Sequence, residues 1–186
     1  MTNLYFVRHA HSIYSPDERE RPLSAQGLLD AKKVTSLLRN ENIDHVISSP
    51  YKRAMQTVEG IAQLFDKEII IEEDFRERML SEDPVEDFKF AIEKVWEDPT
   101  FSWKGGESNQ IAQARGVNAV LQLVKQYEGQ NIVIGTHGNI MVLIMNFFEA
   151  KYNINFWKSL QMPDIYRLQF DKTILKEVEK FMINRI

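Results

Sequence analysis

Asn131-Ile132-Val133-Ile134-Gly135-Thr136 is followed at once by His137 and Gly138. An unbroken apolar run of this length, closed by polar residues, predicts a short strand buried on both faces, as in a parallel sheet. Behind it, residues 138–149 carry the apolar density of a helix. The predicted unit is therefore strand, histidine, helix.

The same unit occurs at the start of the chain. Leu4-Tyr5-Phe6-Val7 predicts a strand that ends at Arg8-His9. After a polar loop, Ser24 is placed as the N-cap of a helix whose apolar side carries Leu28, Leu29, Ala31, Val34, Leu37 and Leu38. His45-Val46-Ile47 predicts a second strand, ending at Ser48-Ser49-Pro50. There Ser49 is expected to cap, and Pro50 to open, a helix running to about Phe65. Residues 68–72 predict a third strand, residues 107–127 a helix, and residues 165–170 and 174–178 two closing strands joined by a turn at Asp171-Lys172. Strands alternating with helices specify an α/β domain, three-layered, around a mostly parallel sheet.

Residues 74–106 break the rhythm, with an acidic stretch, Pro84, a helix-like piece from Val85 to Trp96, Pro99 and Gly105-Gly106. They read as a short, mainly helical lid inserted in one domain spanning residues 1–186. Trp96, Phe101 and Trp103 are candidates for its apolar underside, with ordinary core packing at least as strong a reading. A chain of 186 residues buries roughly 70% of its unfolded surface and needs no staples. With no cysteine it has neither a disulfide nor a thiolate nucleophile. The start of the chain reads as neither signal peptide nor membrane span, which makes the cytoplasm the expected setting. A net charge of −4 and no basic run argue against nucleic acid or anionic membrane as partners. An anionic substrate then has to be captured by a few local cations.

In open α/β sheets ligands bind outside the carboxyl ends of the strands. Two of those ends finish in Arg8-His9 and Thr136-His137, and a third leads into a helix carrying Arg53. His9, Arg8, Arg53 and His137 are therefore expected to form one cationic pocket suited to a tetrahedral dianion. The helix N-termini near Pro50 and Gly138 should add backbone donors. His9 and His11 could share a strand face as metal ligands, but no third ligand stands at a characteristic spacing. No metal or other cofactor is expected, and His45 is read as structural.

Six segments in order, Arg8-His9-Ala10-His11-Ser12, residues 21–27, residues 49–57, Phe75-Arg76-Glu77-Arg78, Gly105-Gly106-Glu107-Ser108 and Gly135-Thr136-His137-Gly138-Asn139, resemble the histidine phosphatases, which include the cofactor-dependent phosphoglycerate mutases. The resemblance implies metal-free hydrolysis of phosphomonoesters through a phosphohistidine on His9. Arg8, Arg53 and His137 would hold the phosphoryl oxygens, and Glu77 would serve as acid and then base. It also puts Gly138, Ser15, Glu107 and Ser108 on the substrate side. Glu77 stands among Glu72, Glu73, Asp74, Glu82 and Asp83, so a solvated acidic face competes with its catalytic reading.

The chain departs from the family pattern at several places. Ala10 stands where the family usually has Gly, and its Cβ is expected to reshape that turn. His11 replaces Glu or Gln, Ser12 replaces Thr, and Ser15 falls where many members place Asn. Met79-Leu80-Ser81 follows the acid in place of a Gly- and aromatic-rich run. The rival readings are a phosphoglycerate mutase, which the short chain disfavours, and a catalytically silent binder of phospho-ligands. A phosphorylated small molecule is the expected partner, and Phe147-Phe148 and Phe156-Trp157 offer a homodimer surface.

Overall fold

The computed structural model describes residues 1–182. In chain order the strands are β1 (Thr2–Arg8), β2 (His45–Ser48), β3 (Ile69–Ile71), β4 (Asn131–Thr136), β5 (Asp164–Asp171) and β6 (Ile174–Phe181). The helices are α1 (Ala25–Leu38), α2 (Lys52–Leu64), α3 (Phe88–Glu97), α4 (Asn109–Gln126), α5 (Gly138–Phe148) and α6 (Ile154–Ser159), with a 3-10 turn at Glu73–Phe75. The strands form one sheet in the order β3-β2-β4-β1-β5-β6. β3, β2, β4 and β1 run parallel, and β5 and β6 close one edge as an antiparallel pair.

The pleat sorts each strand between two apolar layers. Tyr5, Val7, Val46, Val133 and Ile165 pack with Val34 and Leu38 of α1 and Val58 and Ile61 of α2. Leu4, Phe6, Ile132, Ile134, Leu168 and Phe170 face the other way, against Val117, Val120 and Val124 of α4 and Ile140, Met141 and Ile144 of α5. The central strands are thus covered on both faces, which is why their sequences are continuously apolar. Each such side chain contributes about 1.5–3 kcal/mol on burial.

Register then sets the site. Arg8 pairs with Thr136 across β1 and β4, and Ser48 pairs with Gly135 across β2 and β4. Three strands therefore end at one level. The ladder continues one step beyond them, with His9 N–H donating to the Thr136 carbonyl (3.0 Å) and Ser49 N–H to the Gly135 carbonyl (2.8 Å). A Cβ on Gly135 would stand 3.0 Å from the Ala54 carbonyl oxygen. Glycine there lets α2 lie close on β4, carrying Arg53 toward the strand ends.

Several expectations need correction. Leu28 and Leu29 are exposed, and α1 buries Gly27, Ala31, Val34 and Leu38 instead, because the inward stripe follows the 3.6-residue period. Ser24 does cap α1, accepting from Gly27 N–H at 3.0 Å. α2 starts at Lys52 with Tyr51 as N-cap, so Pro50 lies outside it. The segment 74–106 is mainly irregular, with one ten-residue helix, α3, capped by Asp87. Trp96 packs on the main core rather than under a lid. Trp103 stacks edge-on with Phe90 and Phe101 and donates Nε1–H to the Ala91 carbonyl. Of the four aromatic residues read as a dimer surface, only Phe147 is exposed; Phe148, Phe156 and Trp157 pack against the core. No helix among the described residues is long and apolar enough to cross a membrane.

Candidate active site

His9 follows β1 directly and is buried. Its Nδ1 lies 2.7 Å from the Ala10 carbonyl, an acceptor only, so Nδ1 carries the ring proton and donates. Nε2 is left with its lone pair. Arg53 Nε–H donates to that atom across 3.3 Å. Burial first, and then the Arg53 cation, push the His9 pKa down to about 3. The imidazole is therefore neutral at pH 7, as a nucleophile requires.

Ala10 stands where glycine was the familial expectation. It is not among the positive-φ residues, and it is fully buried beside Leu23 and Ala31. Its N–H donates to Thr57 Oγ1, which in turn donates to the Arg53 carbonyl. One threonine thus ties the nucleophile's turn to the first turn of α2.

His137 is the N-cap of α5 and fully buried, with its ring centroid 5.2 Å from that of His9. Burial, with smaller effects from His9 and Arg53, lowers its pKa well below the usual imidazole value. Its Nε2 shares a 2.7 Å hydrogen bond with Ser49 Oγ. Ser49 had been read as a helix cap; its oxygen instead takes Tyr51 N–H at 3.3 Å and faces this ring. Tyr51 packs edge-on against His137 and lies under the Arg53 guanidinium, 4.9 Å away.

Arg8 lies across Gly138, where an added Cβ would stand 3.1 Å from Arg8 Nε. Glycine here makes room for the guanidinium. Arg8 Nη1 donates to the carbonyls of Leu160 and Gln161, whereas Nε has no partner among the described residues. The structure thus brings His9, His137, Arg8, Arg53 and Gly138 to one sheet edge.

Glu77 stands at the same place but is engaged differently from the expectation. Its Oε1 accepts from the N–H groups of Arg78 (2.8 Å) and Ile140 (2.9 Å), and its Oε2 from Asn139 (3.0 Å). Two of the α5 donors expected to face a phosphate are therefore held by this carboxylate. Glu77 is not part of a solvated acidic face: it is half-buried and aimed at the N-terminus of α5. At α2, Lys52 N–H is likewise taken, by the Arg19 carbonyl.

Arg115 was missed by the sequence reading. It donates to the carbonyls of Asp74, Arg76 and Glu77 and pairs twice with Glu107, at 2.8 and 2.9 Å. Glu107, expected on the substrate side, is thereby committed to Arg115 and to Met79 N–H. Ser108 is the buried N-cap of α4. Ser15 is half-buried in the loop that follows His11, and exposed His11 bonds to Ser24 Oγ at 2.8 Å. His45 contacts Gln130 and Tyr127, away from the strand ends that carry the site. Among the described residues no group of three His, Asp or Glu is placed to hold a metal ion. The gathered arginines suit an anion.

Comparison with known proteins gives the family. Residues 4–174 match the sequence pattern of the histidine phosphatase superfamily, branch 1. Phosphoserine phosphatase 1 of Hydrogenobacter thermophilus is 29% identical over 150 residues, covering 74% of this chain and 71% of that protein. A probable phosphoglycerate mutase of Salmonella typhi is 29% identical over 156 residues, 74% and 70% of the two chains. Among solved structures, the phosphoserine phosphatase of Entamoeba histolytica bound to 3-phosphoglyceric acid superposes with a TM-score of 0.78 at 22% identity, covering 100% and 98%. The mycobacterial glucosyl-3-phosphoglycerate phosphatase with inorganic phosphate gives 0.76 at 19% identity, covering 98% and 97%. At these identities the two structures speak for the fold alone.

Proposed function

Because the chain belongs to branch 1 of the histidine phosphatase superfamily, we propose that it hydrolyses small phosphomonoesters, without a metal, through a phosphohistidine on His9. The observation that carries the reading is the 2.7 Å contact of His9 Nδ1 with the Ala10 carbonyl: it puts the ring proton on Nδ1 and the lone pair on Nε2, where Arg53 Nε–H holds it beside His137 until a phosphoryl group takes that N–H.

Nε2 attacks phosphorus as the bond to the ester oxygen breaks. Arg8, Arg53 and His137 take up charge on the phosphoryl oxygens, the part a metal ion plays in other phosphoryl transfers. Glu77 gives its proton to the departing oxygen. Water then attacks the phosphohistidine, Glu77 recovers a proton from that water, the P–N bond breaks, and phosphate leaves with His9 neutral again. Oε2 of Glu77 accepts a single N–H, which leaves it a lone pair for this traffic. Residues 74–106 act as the lid of a single catalytic domain, with Arg115 and Glu107 holding its root and Glu77 in place.

The test is phosphate release from an aryl phosphate in EDTA, by the native protein and by His9→Ala. Release should survive the chelator and vanish in the variant. Loss of activity in EDTA would overturn the metal-free mechanism, and retention in His9→Ala would overturn the nucleophile. The similarity to a probable phosphoglycerate mutase supports a second reading. Interconversion of phosphoglycerates in the presence of bisphosphate would favour it over hydrolysis.

A further inference from the structure

The loop of residues 13–22 leaves the nucleophile's turn, passes over the pocket and returns to Leu23. Its base is pinned by the bridge between Ser12 and Leu23 and by Ile13 N–H donating to the Pro22 carbonyl. Farther out, Arg19 pairs with Glu73, and its carbonyl accepts Lys52 N–H. Between these anchors stands Glu18. Its Oε2 lies 3.1 Å from Arg53 Nη2 and its Oε1 2.9 Å from Arg21 Nη1. The Glu18 carbonyl also accepts from Arg53 Nη1, at 2.8 Å.

These contacts occupy the donors a phosphoryl group needs. Arg53 Nε–H rests on the His9 Nε2 lone pair that must attack phosphorus, so a bound phosphoryl group takes over that N–H together with the edge of the guanidinium where the Glu18 carboxylate sits. Arg53 is almost fully buried, with 4% of its side chain exposed, whereas Glu18 is 51% exposed. A buried cation of this kind needs a counter-charge, and a half-exposed carboxylate can supply it and return to water at small cost. Arg21 is positioned for the same exchange. Its Nε is held by Ser12 Oγ, and its charge reaches both His9 and Arg53.

We propose that Glu18 is a built-in counter-ion of the phosphate pocket, that a phosphoryl group displaces its carboxylate from Arg53 Nη2 and Arg21, and that Arg21 thereby becomes a further phosphate ligand. This rests on the phosphatase reading of the site. Rotation of the Glu18 side chain frees Arg53 Nη2 and Arg21 Nη1, while the Glu18 carbonyl keeps Arg53 Nη1 and holds the loop in place. On the product side, the returning carboxylate competes with inorganic phosphate and promotes its release.

The experiment is calorimetric titration with inorganic phosphate of the native protein, Glu18→Gln, Glu18→Ala and Arg53→Ala. Removing the competing charge should tighten phosphate binding by about 3- to 10-fold in both Glu18 variants, the range of a charge-assisted hydrogen bond discounted for exposure. A purely structural Glu18, needed to hold Arg53 in place, predicts the opposite sign. Unchanged or weaker binding in both variants, with Arg53→Ala still abolishing it, would overturn the counter-ion role and leave the phosphatase reading standing. Phosphate binding that is absent, or indifferent to Arg53→Ala, would overturn the pocket itself.

Discussion

Arg53 donates its Nε–H to Nε2 of His9 across 3.3 Å, which places a fixed cation on the attacking atom before any substrate arrives. Burial, and after it this contact, keep the imidazole neutral, and the guanidinium is aligned with the site of charge development. Arg53→Ala should lower kcat/KM by about 10²–10³-fold, the usual effect of removing one preorganised donor to a transition state. Arg53→Lys should recover little, because an ammonium cannot reproduce the planar fork. Steady-state kinetics on an aryl phosphate measures both.

The His9 pKa, pushed down to about 3, gives a pH prediction with a definite sign. In the unfolded chain an imidazole titrates near about 6.5. Between these values the unfolded state binds the extra proton, so folding stability falls as pH drops through the window, by up to about 1.4 kcal/mol per unit from this group. Denaturant unfolding from pH 7 to pH 4 should show a steeper loss in the native protein than in His9→Gln. Proton NMR should find the His9 ring unprotonated down to pH 5.

Ser49 and His137 are 88 residues apart and joined by a 2.7 Å bond. Ser49→Ala leaves the ring without that partner. It should cost about 1 kcal/mol in stability and, by releasing the ring, about tenfold in kcat/KM. Ser49→Thr keeps the hydroxyl and should restore most of both. Thermal unfolding and kinetics on the pair give the comparison.

Arg115 gathers three carbonyls of the segment 74–77 and the Glu107 carboxylate. Arg115→Ala strands a partly buried carboxylate and frees the carbonyls of residues 74–77. Destabilisation of about 3 kcal/mol is expected. The kinetic signature should be a fall in kcat with phosphate affinity little changed, since Glu77 is displaced while the cations stay. Equal losses in kcat and in phosphate binding would contradict this division of roles.

The parts of this arrangement that follow local rules were legible in the sequence. β4 is bounded as its apolar run predicts, and His9 and His137 lie just past strand ends because each follows such a run. Other parts depend on contacts between distant segments. Nothing local reveals that Ser49 faces His137 instead of capping α2, that Arg115 claims Glu107, or that Glu18 lies on Arg53. α6 has six residues, too short for a periodic signal. Leu28 and Leu29 were assigned inward by their apolar character, but the helical period turns them outward. The lid helix was placed too early because Asp87, three residues beyond Pro84, is the true cap.

The central claim is the covalent intermediate on His9, and it is tested most directly by rapid acid-free quenching of the protein during turnover of a radiolabelled phosphomonoester. The account predicts a transient, alkali-stable and acid-labile label on the peptide carrying His9, absent from His9→Ala and longer-lived in Glu77→Gln. Turnover without such a label, or with a label on another residue, would contradict it.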